Sequence, residues 1–428
     1  MVTETNDAVR VRRTPAAHGE LITLDAGALT VTAAPGLGGR LLSVTLDGAE
    51  FLYRNPRLLG DDLAPLPGVR PGPHDGSMAD WLNWGGDKTW PAPQGWDGPG
   101  RWAGPPDPVL DSGPYTARVE QRNGTVALVL TSGDDPRTGL RLERRIALRP
   151  RSTAFGLHLR MTNTSATERR WALWNVTQIA GAPSAGPAGA EGVYLGRAGS
   201  GRPATVPLVA GTGRPRVREA APGVLHVPHQ DVVGKVGFPD SAGWLAHVGP
   251  ERTLTQRFTV QEVPYPDEGS RAEVWLEYPL AEGLPHLGGL RPLDHVVECE
   301  ALGPLTTLAP GASALLEVEF GVGPSVGPVE AVTPAGYWAG PPPGGADGRL
   351  EGIFVPYAAG RLEARGPAWA QPLVLGALEP GRACRVRLPS DQNRSPVLEL
   401  TAALADGGTA RVALVTAEED GKRPTFNS

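Results

Sequence analysis

The chain has 428 residues, enough for one large domain or for two or three smaller ones. Its formal net charge of −6 argues against a nucleic-acid surface as the main function, and no apolar run approaches the length of a membrane span. Glycine (57) and proline (45) together make up nearly a quarter of the residues, which favours many short strands joined by turns.

Residues 1–19 lack an apolar stretch of signal-peptide length and read as a disordered tail on a cytoplasmic protein. From residue 20, the alternating segments 21–24, 29–33 and 40–46 read as strands, and Asp47-Gly48 closes a hairpin toward 51–53. Residues 58–114 read as irregular. Strand patterning resumes at 115–120, 126–130, 140–148 and 154–161. The segment 171–179 is a further strand, unusual in carrying Asn175, Thr177 and Gln178 among apolar neighbours. Residues 180–222 form a Gly-, Ala- and Pro-rich excursion. Strands follow at 243–248, 253–260, 272–277, 296–300 and 314–320. A Pro/Gly-rich connector (321–328 and 340–345) then precedes some six further strands between residues 350 and 415. No twelve-residue segment keeps a helical period, so the fold class is all-β, a large sandwich. The expected units are a main domain over 20–325, a small C-terminal β domain over 326–416 and a polar tail over 417–428.

Inside the irregular region lies Asn83-Trp84-Gly85-Gly86-Asp87-Lys88-Thr89-Trp90-Pro91-Ala92-Pro93-Gln94. Five of the chain's eleven tryptophans fall between Trp81 and Trp102. Rings with polar handles at fixed spacing suit a concave ligand site, although such a loop can also cap a sheet without touching a ligand. Lys88 is one of three lysines among forty basic residues, so its ammonium is a candidate for chemistry or for binding an anionic group. Glu298 and Glu300 lie two apart on one strand and share a face, while Cys299 points to the other. On that arrangement one glutamate can act as a base with its pKa raised by the other. His226 and His229 form a His-x-x-His that a strand would split between two faces, so no metal site is expected. No phosphate loop, dinucleotide fingerprint or other cofactor motif is present.

The segments Leu29-Thr30-Val31, Gly38-Gly39-Arg40-Leu41-Leu42-Ser43, Asp47-Gly48 and Phe51-Leu52 resemble the opening of galactose mutarotase-like proteins, the aldose 1-epimerase superfamily. Within it, the Asn83–Gln94 stretch and the downstream Pro106-Asp107-Pro108-Val109-Leu110-Asp111 are similar to a bacterial family of unassigned function. Trp174-Asn175-Val176-Thr177-Gln178 and Glu298-Cys299-Glu300 fit its later motifs. The resemblance covers about residues 20 to 322 and implies a β supersandwich that binds a small sugar or sugar acid. It also implies a glutamate base, Glu300 or Glu298, and a histidine acid. The histidines do not carry over: Trp84 and Trp174 stand where mutarotases place them, and an indole cannot serve as the acid. Lys88 and Asp87 are then the candidate acids, with Arg40, Trp84, Trp90, Gln94, Trp174 and Gln178 as candidate ligand-binding residues. The readings left open are an epimerase or isomerase, a sugar-binding module that lost the chemistry, and a lyase-type enzyme.

Overall fold

The computed structural model describes residues 8–95, 101–183, 189–199, 204–340, 351–366, 369–387 and 397–416. The expected polar tail 417–428, residues 1–7 and most of the second connector segment lie outside these. Among the described residues the fold is nearly all β, as the turn-rich composition predicts. A 12-stranded and a 10-stranded sheet form the main body, and two 4-stranded sheets follow.

From edge to edge, the larger sheet runs through strands starting at Arg10, Gly19, Leu29, Arg40, Asp87, Arg169, Val296, Ala272, Gly234 and Val206. The second runs through strands starting at Arg218, Val224, Gly192, Ser241, Arg252, Ser313, Ala154, Leu140, Thr125 and Thr116. Every pairing within the two sheets is antiparallel, and their inner faces share one apolar core. Polar bridges also cross this core: Arg144 of the second sheet reaches Asp87 of the first, and Gln256 Nε2 donates to Thr177 Oγ1 at 2.9 Å. In the C-terminal part, the tyrosines Tyr337 and Tyr357 lie over strand Ser313–Pro324, where Gly321 and Gly323 leave the room their rings require. The Tyr357 hydroxyl meets Thr255 Oγ1 at 2.6 Å.

Two expectations are corrected. Residues 10–16, assigned to a disordered tail, form the edge strand Arg10–Ala16, paired residue for residue with Gly19–Asp25. That strand is exposed on both faces, so it carries no apolar alternation to read, and Arg10–Asp25 and Arg13–Glu20 ion pairs line its edge. The Trp-rich stretch, read as a loop, contains the strand Asp87–Ala92 in the middle of the larger sheet. All six of its residues are buried, so it too lacks the alternation that marks a half-exposed strand.

Gly85 and Gly86 explain how the chain enters that strand. Both have left-handed φ (86° and 77°), and a Cβ would lie 2.2 Å from the Tyr53 carbonyl oxygen at Gly85 and 2.1 Å from that of Leu41 at Gly86. Here only glycine allows the backbone to pass so close to both neighbours.

Candidate functional site

Antiparallel register decides which side chains meet. Directly paired residues share a face, and their neighbours along each strand take the other. Strand Arg169–Ala180 pairs Trp174 with Trp90 and Val176 with Lys88 on one side. On its other side it pairs Val176 with Glu300 and Gln178 with Glu298. The next strands continue these rows, pairing Glu300 with Glu273, Glu298 with Trp275 and Trp275 with Lys235. The outer face of five adjacent strands therefore carries two lysines, a cluster of glutamates and three tryptophans.

This face floors a cavity of about 520 Å³, counting the space open to solvent. Its walls are Trp81, Trp90, Trp174 and Trp275, with Gln94, Lys235, Glu277 and Glu298 contributing polar groups. Two short 3-10 turns, Met78–Asp80 and Pro285–Leu287, bring Met78 and Leu287 to the rim. The turns are tied together where Ala79 N–H donates to Gly288 O at 3.1 Å.

The charges interlock across the strands. Lys88 Nζ lies 3.3 Å from Glu298 Oε1, which also accepts from Gln178 Nε2 at 2.6 Å. Lys235 Nζ lies 2.9 Å from Glu273 and 2.8 Å from Glu300. Trp174 Nε1 donates to the same Glu300 oxygen at 2.5 Å. Both ammoniums sit against ring faces: Lys88 is 4.5 Å from the Trp90 centroid and 4.9 Å from that of Trp81, and Lys235 is 4.2 Å from that of Trp174. Burial lowers the pKa of Lys88, with Glu298 pulling the other way. Burial also opposes charging Lys235, but Glu273 and Glu300 outweigh it and raise its pKa. Both of those carboxyls are pushed up by burial, against the pull of Lys235. Glu277 is raised from 4.5 to about 7, first by burial and then by the charge of Glu298.

The expected site residues fall into three places. Trp90, Gln94, Trp174 and Glu298 line the cavity, and Lys88, Gln178 and Glu300 are buried behind them in its polar network. Asp87 and Arg40 are in neither layer. Asp87 points into the sandwich, where it pairs with Arg144 and accepts from Asn175 Nδ2 at 2.8 Å and Thr177 Oγ1 at 2.6 Å. Arg40 pairs with Asp111, which accepts from Trp81 Nε1 at 2.9 Å and Trp90 Nε1 at 3.2 Å. Through Asp111, Arg40 fixes the orientation of two cavity rings without reaching the cavity. Trp84 packs in a separate apolar cluster with Leu21, Leu42 and Leu63.

Sequence reasoning missed Lys235, Trp275, Glu277 and Glu273. The last three alternate along strand Ala272–Glu277 as Glu298 and Glu300 do on theirs, so the same two-residue spacing marks them. Lys235 shares with Lys88 the signal of being a rare lysine. Of the histidines, His226 stacks on Tyr194 with centroids 4.2 Å apart, whereas His229 Nε2 lies 3.0 Å from His247 Nε2.

Among solved structures, a TPR-domain containing protein from Parabacteroides distasonis is similar at TM-score 0.45 and 14% identity over 71% of this chain. This chain spans 47% of that protein's length. A galactose mutarotase-like protein from Lactobacillus casei is similar at TM-score 0.45 and 14% identity, covering 71% of this chain and 99% of that one. Another, from Clostridium acetobutylicum, has TM-score 0.43 and 8% identity, covering 74% of this chain and 100% of that one. None of the curated proteins matches. Residues 20–319 match the family described as a domain of unknown function (DUF4380), and the chain belongs to that family.

Proposed function

We propose that the chain binds a carbohydrate in the tryptophan-walled cavity. One observation carries this reading: four indoles converge with Gln94, Glu277 and Glu298 on a single concave space. Flat rings cover the C–H faces of a sugar, while amide and carboxylate groups take its hydroxyls. The resemblance of the opening segments, residues 29–52, to mutarotase-like proteins supports the same ligand class. A second reading, epimerase or isomerase, rests on Glu298, a carboxylate held by Lys88 and Gln178 at the cavity wall. Glu300 is a weaker base candidate because Lys235 and Trp174 already occupy one of its oxygens deep in the sheet.

Thermal shift with a panel of hexoses, hexosamines and uronates tests the binding reading. A sugar at about 100 times its Kd is expected to stabilise the protein by about 2.7 kcal/mol. Trp81→Leu is expected to weaken that sugar's binding about tenfold, measured by titration calorimetry. A panel in which no sugar raises the melting temperature would overturn the proposal. For any sugar that binds, anomeric exchange followed by NMR in wild type and Glu298→Gln tests the second reading. Equal exchange in the two proteins removes Glu298 from the chemistry.

A further inference from the structure

Among the described residues, one carboxylate lining the cavity has no cation bonded to it. Glu277 lines the cavity at 6% exposure and accepts one hydrogen bond, from Trp275 Nε1 at 2.9 Å. Among the described residues no lysine, arginine or histidine forms an ion pair with it, whereas the neighbouring glutamates are all held. Glu298 has Lys88, and Glu273 and Glu300 share Lys235. The charged groups bearing on Glu277 are Glu298, Lys88 and Asp294, and Lys88 is already bonded to Glu298. Four glutamates thus share two ammoniums, and Glu277, the one of the four with no ammonium bonded to it, lines the cavity. A buried carboxylate with no cation is costly to maintain, so its retention at a cavity wall marks where a ligand supplies the missing charge. The surrounding indoles favour a cation for the same reason, since their ring faces are negative.

We propose that the ligand is a sugar bearing a protonated amine, whose ammonium pairs with Glu277. This rests on the carbohydrate reading and narrows it: a sugar acid would bring a further carboxylate into a site already rich in them. An ammonium offers three donors to carboxylate oxygens, and the pyranose body is left for the rings.

The test compares four probes near pH 7 by calorimetry: 2-amino-2-deoxyglucose, its N-acetyl derivative, glucose and glucuronate. The amine is expected to bind at least about tenfold more tightly than glucose, with the N-acetyl form near glucose and glucuronate weakest. In Glu277→Gln the ratio of amine to glucose affinity is expected to fall to near unity. Equal affinity of wild type for amine and glucose, or tighter binding of glucuronate, overturns the amine assignment and leaves the carbohydrate reading standing. Failure of all four probes, together with the rest of the sugar panel, overturns both. The ranking of probes on the wild-type protein needs no variant, so a folding defect in Glu277→Gln cannot obscure the answer.

Discussion

Replacing Asp87 with alanine is expected to lower the unfolding free energy by about 3–5 kcal/mol, because it strands the Arg144 guanidinium inside the sandwich. Asp87 and Arg144 are both fully buried, and the pair joins the two sheets. Arg144 also donates to the carbonyls of Gly39 at 3.0 Å and Asp87 at 2.9 Å, so these peptide groups depend on its staying in place. Asn175 and Thr177 would lose their shared acceptor in the same substitution. Urea denaturation measures the loss. An Asp87→Ala protein within about 1 kcal/mol of wild type would show that the pair does not hold the sheets together. The sequence reading placed Asp87 among the acids of a reaction. Its position predicts a defect in stability, with ligand affinity unchanged in whatever fraction remains folded.

Glu277→Gln is expected to do the opposite and stabilise the protein by up to about 3 kcal/mol at pH 8, because the folded cavity disfavours the charged form of Glu277. The Glu277 carboxyl is raised from 4.5 to about 7 in the folded chain. Between these values the folded state holds a proton that the unfolded state has released. The contribution of Glu277 is therefore fully present below about pH 4.5 and is lost as the pH rises through about 7. Above that, an unpaired carboxylate sits in the folded cavity beside Glu298, and the variant's neutral amide escapes this cost while still accepting from Trp275. The two stability curves should converge in acid and separate toward pH 8. Glu330, also raised to about 7, remains in both proteins, so the difference between the curves isolates Glu277. Parallel curves would refute the assignment. A residue whose removal stabilises the fold yet erases a ligand preference is one kept for binding.

Period-two alternation made strands such as Leu140–Leu148, Ala154–Asn163 and Ser313–Pro324 legible, because one face of each lies on the core and the other is turned outward. That signal fails at the two extremes of burial. Strand Arg10–Ala16 has no buried face, and strand Asp87–Ala92 has no exposed one. The site was legible where a strand displays a polar residue at every second position, as with Glu298 and Glu300. The division of labour between Asp87 and Lys88 was not. They are neighbours in sequence, and only the register with Thr177 and Val176 shows that one faces the core and the other the cavity. Trp84 illustrates the same limit. Its place beside Gly85-Gly86 suggested a wall, but the left-handed turn at those glycines separates it from Trp90, and it packs under the Leu59 and Leu63 side chains.

The tyrosines seated over Gly321 and Gly323 bear on how the protein can be divided. Strand Ser313–Pro324 continues past residue 319, where the family match ends, and its last residues pair with Arg252–Thr255 beneath Tyr337 and Tyr357. A fragment stopped at 325 would keep that strand but uncover Tyr194, Trp244 and Val248, which the C-terminal residues Val329, Val332 and Val355 otherwise shield. Such a fragment is expected to self-associate through the uncovered patch, with light scattering as the readout. The C-terminal sheets thus act as a lid that keeps the outer side of the second sheet dry, and their removal would cost solubility before it touched the cavity.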